Sequence, residues 1–167
     1  MDIFLLFFLI TGLGASGCKA KEPQIVGIAG SKIAKLSPEL IPSEILGLRV
    51  VPEDVTASLK DSNRSFADAV GLYSLRTDDL VLATVQVSRF LPGADVDSSH
   101  FRRSIVEQIG SSRSRETRWG GESVWLTTAT KSKVAIWFRG NYLFHLSMRD
   151  EFDRPRTLLR ELLAVKP

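Results

Sequence analysis

Residues 115–149 read RETRWGGESVWLTTATKSKVAIWFRGNYLFHLSMR, and this stretch decides the fold. Four runs rich in β-branched and aromatic residues (115–119, 122–130, 133–139 and 142–149) are separated by Gly120-Gly121, Lys131-Ser132 and Gly140-Asn141. Gly-Gly and Gly-Asn suit the primed turns whose twist matches antiparallel strands, so the spacing predicts consecutive hairpins. Setting Arg139 opposite Tyr142, and Lys131-Ser132 as a second two-residue turn, sorts the side chains onto two faces. One face carries Val124, Leu126, Ala135, Trp137, Tyr142, Phe144, Leu146 and Met148. It is a predicted core face, to be covered by the two long helices.

The opposite face carries rows: Trp125 with Phe138 and Leu143, then Thr127 with Ile136 and His145, then Ala129 with Val134 and Ser147. A solvated face alternates to polar residues, and this one does so only in part. Two explanations compete. Either segment 54–60 or the chain before residue 46 covers the face and completes a three-layer sandwich, or the face is a groove. In the second case Trp125, Phe138, Ile136 and Leu143 line a site for an apolar ligand or protein partner. His145 is then its polar contact, with Glu116 and Arg118 near the rim.

Working outward, residues 46–51 form a strand ended by Pro52, and 54–60 a short helix begun at Glu53 or Asp54. Residues 69–75 and 80–91 make two more strands, joined by Thr77-Asp78-Asp79. Residues 98–109 are the clearest helix: Asp97 or Ser98 caps it, Phe101, Ile105 and Ile109 share a stripe, and Gly110 stops it. Asp153 is the predicted cap of a last helix with Pro155 in its first turn and Leu158, Leu159, Leu162 and Leu163 on its buried side. The expected fold class is therefore α+β, an antiparallel sheet of about six to seven strands flanked by helices.

The element order resembles the PsbP-like fold, which also occurs in actinobacterial lipoproteins of the LpqN type. The residues that carry the resemblance are the opening strand 46–52, the helix 98–109 and the tail 118–167, with Trp119-Gly120-Gly121-Glu122, Gly140-Asn141 and the closing helix in the family's sequence. The resemblance implies an α/β/α sandwich with a binding or accessory role. It transfers no functional residue.

The other end of the chain speaks to location. Residues 3–10 read IFLLFFLI, and the apolar run continues to Leu13. About 20 helical residues are needed to cross a hydrocarbon core, so a run this short fits the apolar segment of a signal peptide instead. Gly14-Ala15-Ser16-Gly17-Cys18 follows, and it resembles a bacterial lipobox with Ala15 where leucine is favoured. The region ahead of the apolar run, Met1-Asp2, lacks the usual positive charge. The expected organisation is a signal peptide (1–17), a lipid-anchored tether (18–45) and a single α+β domain (46–167), with residues 25–28 as a short candidate strand. Cys18 is the lipidation site, acylated with palmitate-type chains. Cleavage without lipid after Gly17 or Ala20 is the alternative, and it leaves a secreted soluble protein.

The chemistry of the chain is sparse. Among its 167 residues are one cysteine and two histidines, His100 and His145, which lie on different elements. A metal site needs three or four convergent ligands, so neither histidine nominates one. The carboxylate pairs Glu53-Asp54, Asp78-Asp79 and Asp150-Glu151 fall at turns and element ends, where capping and solubility account for them. No catalytic residue, metal or cofactor is assigned. The formal charge is +3. Arginines cluster at Arg113, Arg115 and Arg118 and again at Arg154, Arg156 and Arg160. Guanidinium forks suit phosphate and carboxylate, while the competing reading is a solvated face with Asp150, Glu151, Asp153 and Glu161 offsetting the second cluster. The expected partners are a membrane through the anchor and a protein or apolar ligand, with no nucleic acid, and the domain is expected to be monomeric. The function expected is that of a non-catalytic binding or accessory protein of the cell envelope. A carrier of a lipid or other apolar molecule, and a hydrolase of envelope material, are the alternatives.

Overall fold

The computed structural model describes residues 33–55, 66–78, 80–109, 113–129 and 131–166. The signal segment, Cys18, the candidate strand 25–28 and nearly all of the expected helix 54–60 lie outside these residues. Nine strands and two helices are found among the described residues. The strands are β1 (Ala34–Lys35), β2 (Glu44–Ile45), β3 (Leu48–Glu53), β4 (Ala67–Thr77), β5 (Leu80–Phe90), β6 (Arg115–Trp119), β7 (Glu122–Ala129), β8 (Ser132–Arg139) and β9 (Tyr142–Arg149). The helices are α1 (Ser99–Ile109) and α2 (Pro155–Ala164). The fold is α+β, and the sheet order is β2-β3-β4-β5-β9-β8-β7-β6. All neighbours on this path are antiparallel, while β1 lies parallel against β4 beyond the end of β3.

The hairpins form where glycine makes them cheap. Gly120 and Gly121 both take positive φ (57° and 90°), and Gly140 does so at 51°, so Trp119 meets Glu122 and Arg139 meets Tyr142. The turn without glycine is displaced from its expected place: Ala129, not Thr130, opens the β7–β8 connection and pairs with Ser132. Trp125 therefore stands opposite Ile136 instead of Phe138. A slip of two residues leaves every side chain on its expected face, since the strand period is two.

Each face of the sheet has its own helix, where the sequence predicts both on one. The buried leucines Leu158, Leu159 and Leu162 of α2 pack on Val124, Ala135, Trp137, Phe144, Leu146 and Met148, together with Leu48, Tyr73, Leu75 and Val85 from the other half of the sheet. Ile105 and Val106 of α1 pack on the reverse face, against Phe90, Trp125, Ile136, Phe138 and Leu143. Ser98 caps α1, its hydroxyl accepting from the Phe101 N–H at 3.3 Å. The N-cap of α2 is Arg154 and makes no side-chain cap; Asp153, the expected cap, instead pairs with the Arg154 guanidinium at 3.5 Å.

The strand count exceeds the expected six to seven because β1 and β2 come from the segment expected as tether. Leu36, Ile41 and Ile45 are buried in the same core cluster as the α2 leucines, and the Tyr73 hydroxyl donates to the Ser37 carbonyl at 2.8 Å. The packed domain thus includes residues 34–45. Leu46 and Gly47 both take positive φ (55° and 78°) to join β2 to β3. A leucine in that conformation carries no sequence signal, which is why the strand was expected to start there. Among the described residues, no helix is long and apolar enough to cross a membrane.

A Cβ on Gly71 would stand 2.8 Å from the Tyr73 hydroxyl and about as close to its ring. Gly71→Ala should displace Tyr73, loosen residues 34–41 and cost roughly 1–3 kcal/mol in urea denaturation. On the reverse face, Ser74 is buried, its hydroxyl donates to Glu53 Oε1 at 2.5 Å, and Arg76 pairs with the same carboxylate. The Ser74 hydrogen bond above all, and Arg76 with it, hold the Glu53 carboxyl below its ordinary range against the opposing effect of burial. A carboxyl depressed on folding contributes stability that is complete above its unfolded pKa, about 4.3, and is lost as pH falls through the folded value. Glu53→Gln should flatten the acid limb of a stability–pH profile below about pH 4.3.

Candidate functional site

The residues the sequence nominates for a groove are packed in a core. Trp125 is 7% exposed, Phe138 4%, Leu143 1% and Ile136 0%. Phe90 forms the centre of this aromatic group, with ring centroids 5.4 Å from Phe101, 5.7 Å from Phe66 and 5.9 Å from Phe138. Trp125 meets Phe138 edge to face at 5.3 Å, the arrangement ring quadrupoles prefer. The Arg102 guanidinium of α1 lies 5.5 Å from the centre of the Phe138 ring. Among the described residues the helix α1 covers the face, and Ile33 and Val55, from the two segments expected to cover it, pack in the same cluster. His145 is half-buried between Gln86 and Ile136 on the neighbouring strands. The expected rim residues Glu116 and Arg118 stand exposed at the β6 edge, opposite Trp125 and Ser123.

Among the described residues no group of three or more His, Cys, Asp or Glu is placed to hold a metal ion. His100 is exposed on α1, far in sequence and on a different element from His145.

The two arginine clusters, by contrast, converge. An open cavity of about 750 Å³ lies where the start of α2 crosses the β6–β7–β8 edge. Its lining includes Arg113 and Arg115 from the first cluster, Arg156 from the second, and Lys133 of β8. Strand alternation puts Arg115 opposite Leu126 and Lys133 opposite Met148, so both lie on the α2 face of the sheet. Trp119, Leu126, Met148 and Leu159 make the apolar part of the lining. The lining contains no Asp or Glu.

The remaining arginines go elsewhere. Arg118 points to the reverse face with Ser123. Arg154 donates to the Leu46 carbonyl at 3.3 Å, and Arg160 is exposed further along α2. Lys133 has no sequence neighbour to mark it, and only the register of β8 beside β7 brings it to the arginines.

No protein-family model, no curated protein and no solved structure matches the chain.

Because Trp125 and Phe138 are core residues, polar substitution should unfold the domain and not merely blunt a site. Trp125→Ser or Phe138→Ser should cost about 3–5 kcal/mol, seen as a lowered midpoint or lost cooperativity in thermal melting. Native-like melting of either variant would return the row to the surface.

Proposed function

We propose that the protein is a lipid-anchored extracytoplasmic binding or accessory protein of the cell envelope, without catalytic activity, whose ligand occupies the cavity at the start of α2. One observation carries the reading: an open cavity of about 750 Å³ with apolar walls and four cationic side chains. That volume lies within the roughly 300–1,000 Å³ usual for small-molecule sites, and a few charged groups around apolar walls are the usual composition. In this reading the domain is a PsbP-like α/β/α sandwich of the LpqN type, a reading that rests on the helix over each sheet face and the run of hairpins before the closing helix. A carrier holding its ligand between sheet and helix draws no support from the described residues, where side chains such as Trp137 and Phe138 are buried in the two core clusters.

Anchoring sets how far the cavity works from the membrane. Residues 19–33 add 15 residues between Cys18 and β1. At about 3.3–3.6 Å per residue they reach roughly 50 Å when fully extended. The domain is therefore confined to the layer next to the bilayer that holds Cys18.

The anchor is tested on the full chain made in a bacterial host. Intact mass should show removal of residues 1–17 and a diacylglyceryl group on Cys18, and the protein should partition with detergent. Cys18→Ala should move it to the aqueous phase. An unmodified, aqueous wild-type protein would replace the anchor with simple secretion.

A further inference from the structure

The two ends of α2 treat cations in opposite ways. At its C-terminus Arg139 donates to the Leu163 and Val165 carbonyls and pairs with Glu122 at 2.9 Å, the placement that a helix's negative end favours. At its N-terminus, the positive end, four more cations gather: Arg113, Arg115, Lys133 and Arg156. Stability alone argues against this grouping, since the cations repel one another and the helix end repels them all. No carboxylate among the described residues is paired with Arg115, Lys133 or Arg156. The first turn of α2 contains no acidic residue, and its N-cap side chain accepts nothing. Pro155 has no N–H and that of Leu158 donates to the Arg154 carbonyl at 3.0 Å, so the N–H groups of Arg156 and Thr157 are the ones in that turn without an intrahelical partner.

Arginine forks and helix N–H groups both match a phosphate, which offers three oxygens and up to two negative charges. A bare anion, however, would have no use for the walls formed by Trp119, Leu126, Met148 and Leu159. We propose that the cavity binds an amphipathic phosphate, its phosphate group held by Arg115, Lys133 and Arg156 and its hydrocarbon laid against Trp119 and Leu126. The proposal rests on the cavity being the binding site, and it adds the chemical class of the ligand. Within the reach of the anchor, the source of such a molecule is the headgroup and adjoining chain of an anionic envelope lipid.

The test uses the full chain in phosphatidylcholine nanodiscs, titrated separately with octyl phosphate, inorganic phosphate and octyl glucoside. Binding is read by tryptophan fluorescence, with Trp119→Phe identifying the signal that arises in the cavity. Octyl phosphate should bind at least about tenfold more tightly than either other probe, with affinity falling as salt rises. Arg115→Gln and Arg156→Gln should each weaken octyl phosphate about tenfold and leave octyl glucoside unchanged. In low-salt, phosphate-free buffer both variants should melt no lower than wild type, because each relieves repulsion at the helix end. A lower melting point would mean that the arginines are structural, and it overturns the proposal. Equal affinity for inorganic and octyl phosphate would overturn the amphiphile and leave a plain anion site. Equal affinity for octyl glucoside would overturn the phosphate and leave an apolar site. If no probe moves the Trp119 signal, the cavity is not the binding site and the functional reading falls with the proposal.

Discussion

Strand β8 is buried along both sides: Val134, Ala135, Ile136, Trp137 and Phe138 are all buried in succession. A strand with that run can be stable only if both faces of its sheet are covered, because uncovering either one exposes several large side chains at about 25 cal/mol per Å². The two helices meet this condition by dividing. The leucines of α2 take the Trp137 side and Ile105 and Val106 of α1 take the Phe138 side. The position of every other element follows from that division. The helix α1 leaves β5 and returns to β6 across one face, and α2 leaves β9 and runs back over the other.

The α2 layer alone does not cover its face out to β3 and β4, and the chain before β3 completes it. Leu36, Ile41 and Ile45 fill the space over Leu48, Val50 and Tyr73. Gly71 is the concession that allows this, since only a residue without Cβ lets the Tyr73 ring lie flat enough along the strand for its hydroxyl to reach Ser37. Residues 34–45 are thus joined to the rest of the domain by core packing.

What the sequence revealed, and what it hid, separates along a physical line. Local signals were legible: the glycine turns, the two long helices and the face to which each side chain of β7, β8 and β9 belongs. These depend on backbone conformation and on a period of two, neither of which needs the rest of the chain. The assignment of covers was hidden, because an amphipathic helix such as α1 states that it has a buried side but not which sheet face that side meets. The segment 34–45 was hidden for a related reason. Its Pro38 and Pro42 read as interruptions, while its isolated Leu36, Ile41 and Ile45 have no period that would mark them as core. The aromatic row is legible in the sequence, and its burial is one of the two readings the sequence leaves open.

The same division bears on where the proposed site lies. Among the described residues, concavities arise where a helix end and a sheet edge fail to fill the corner between them. Such corners occur at both ends of α2. At the C-terminal corner Arg139 satisfies the last carbonyls, and the arrangement is complete without a ligand. At the N-terminal corner the N–H groups of Arg156 and Thr157 and the side chains of Arg115, Lys133 and Arg156 have the same sign, and the lining contains no Asp or Glu. Asp153, beside the N-cap, pairs with Arg154 and is not part of the lining. The asymmetry between the two corners, more than the size of either cavity, is the physical ground for assigning the ligand to the start of α2.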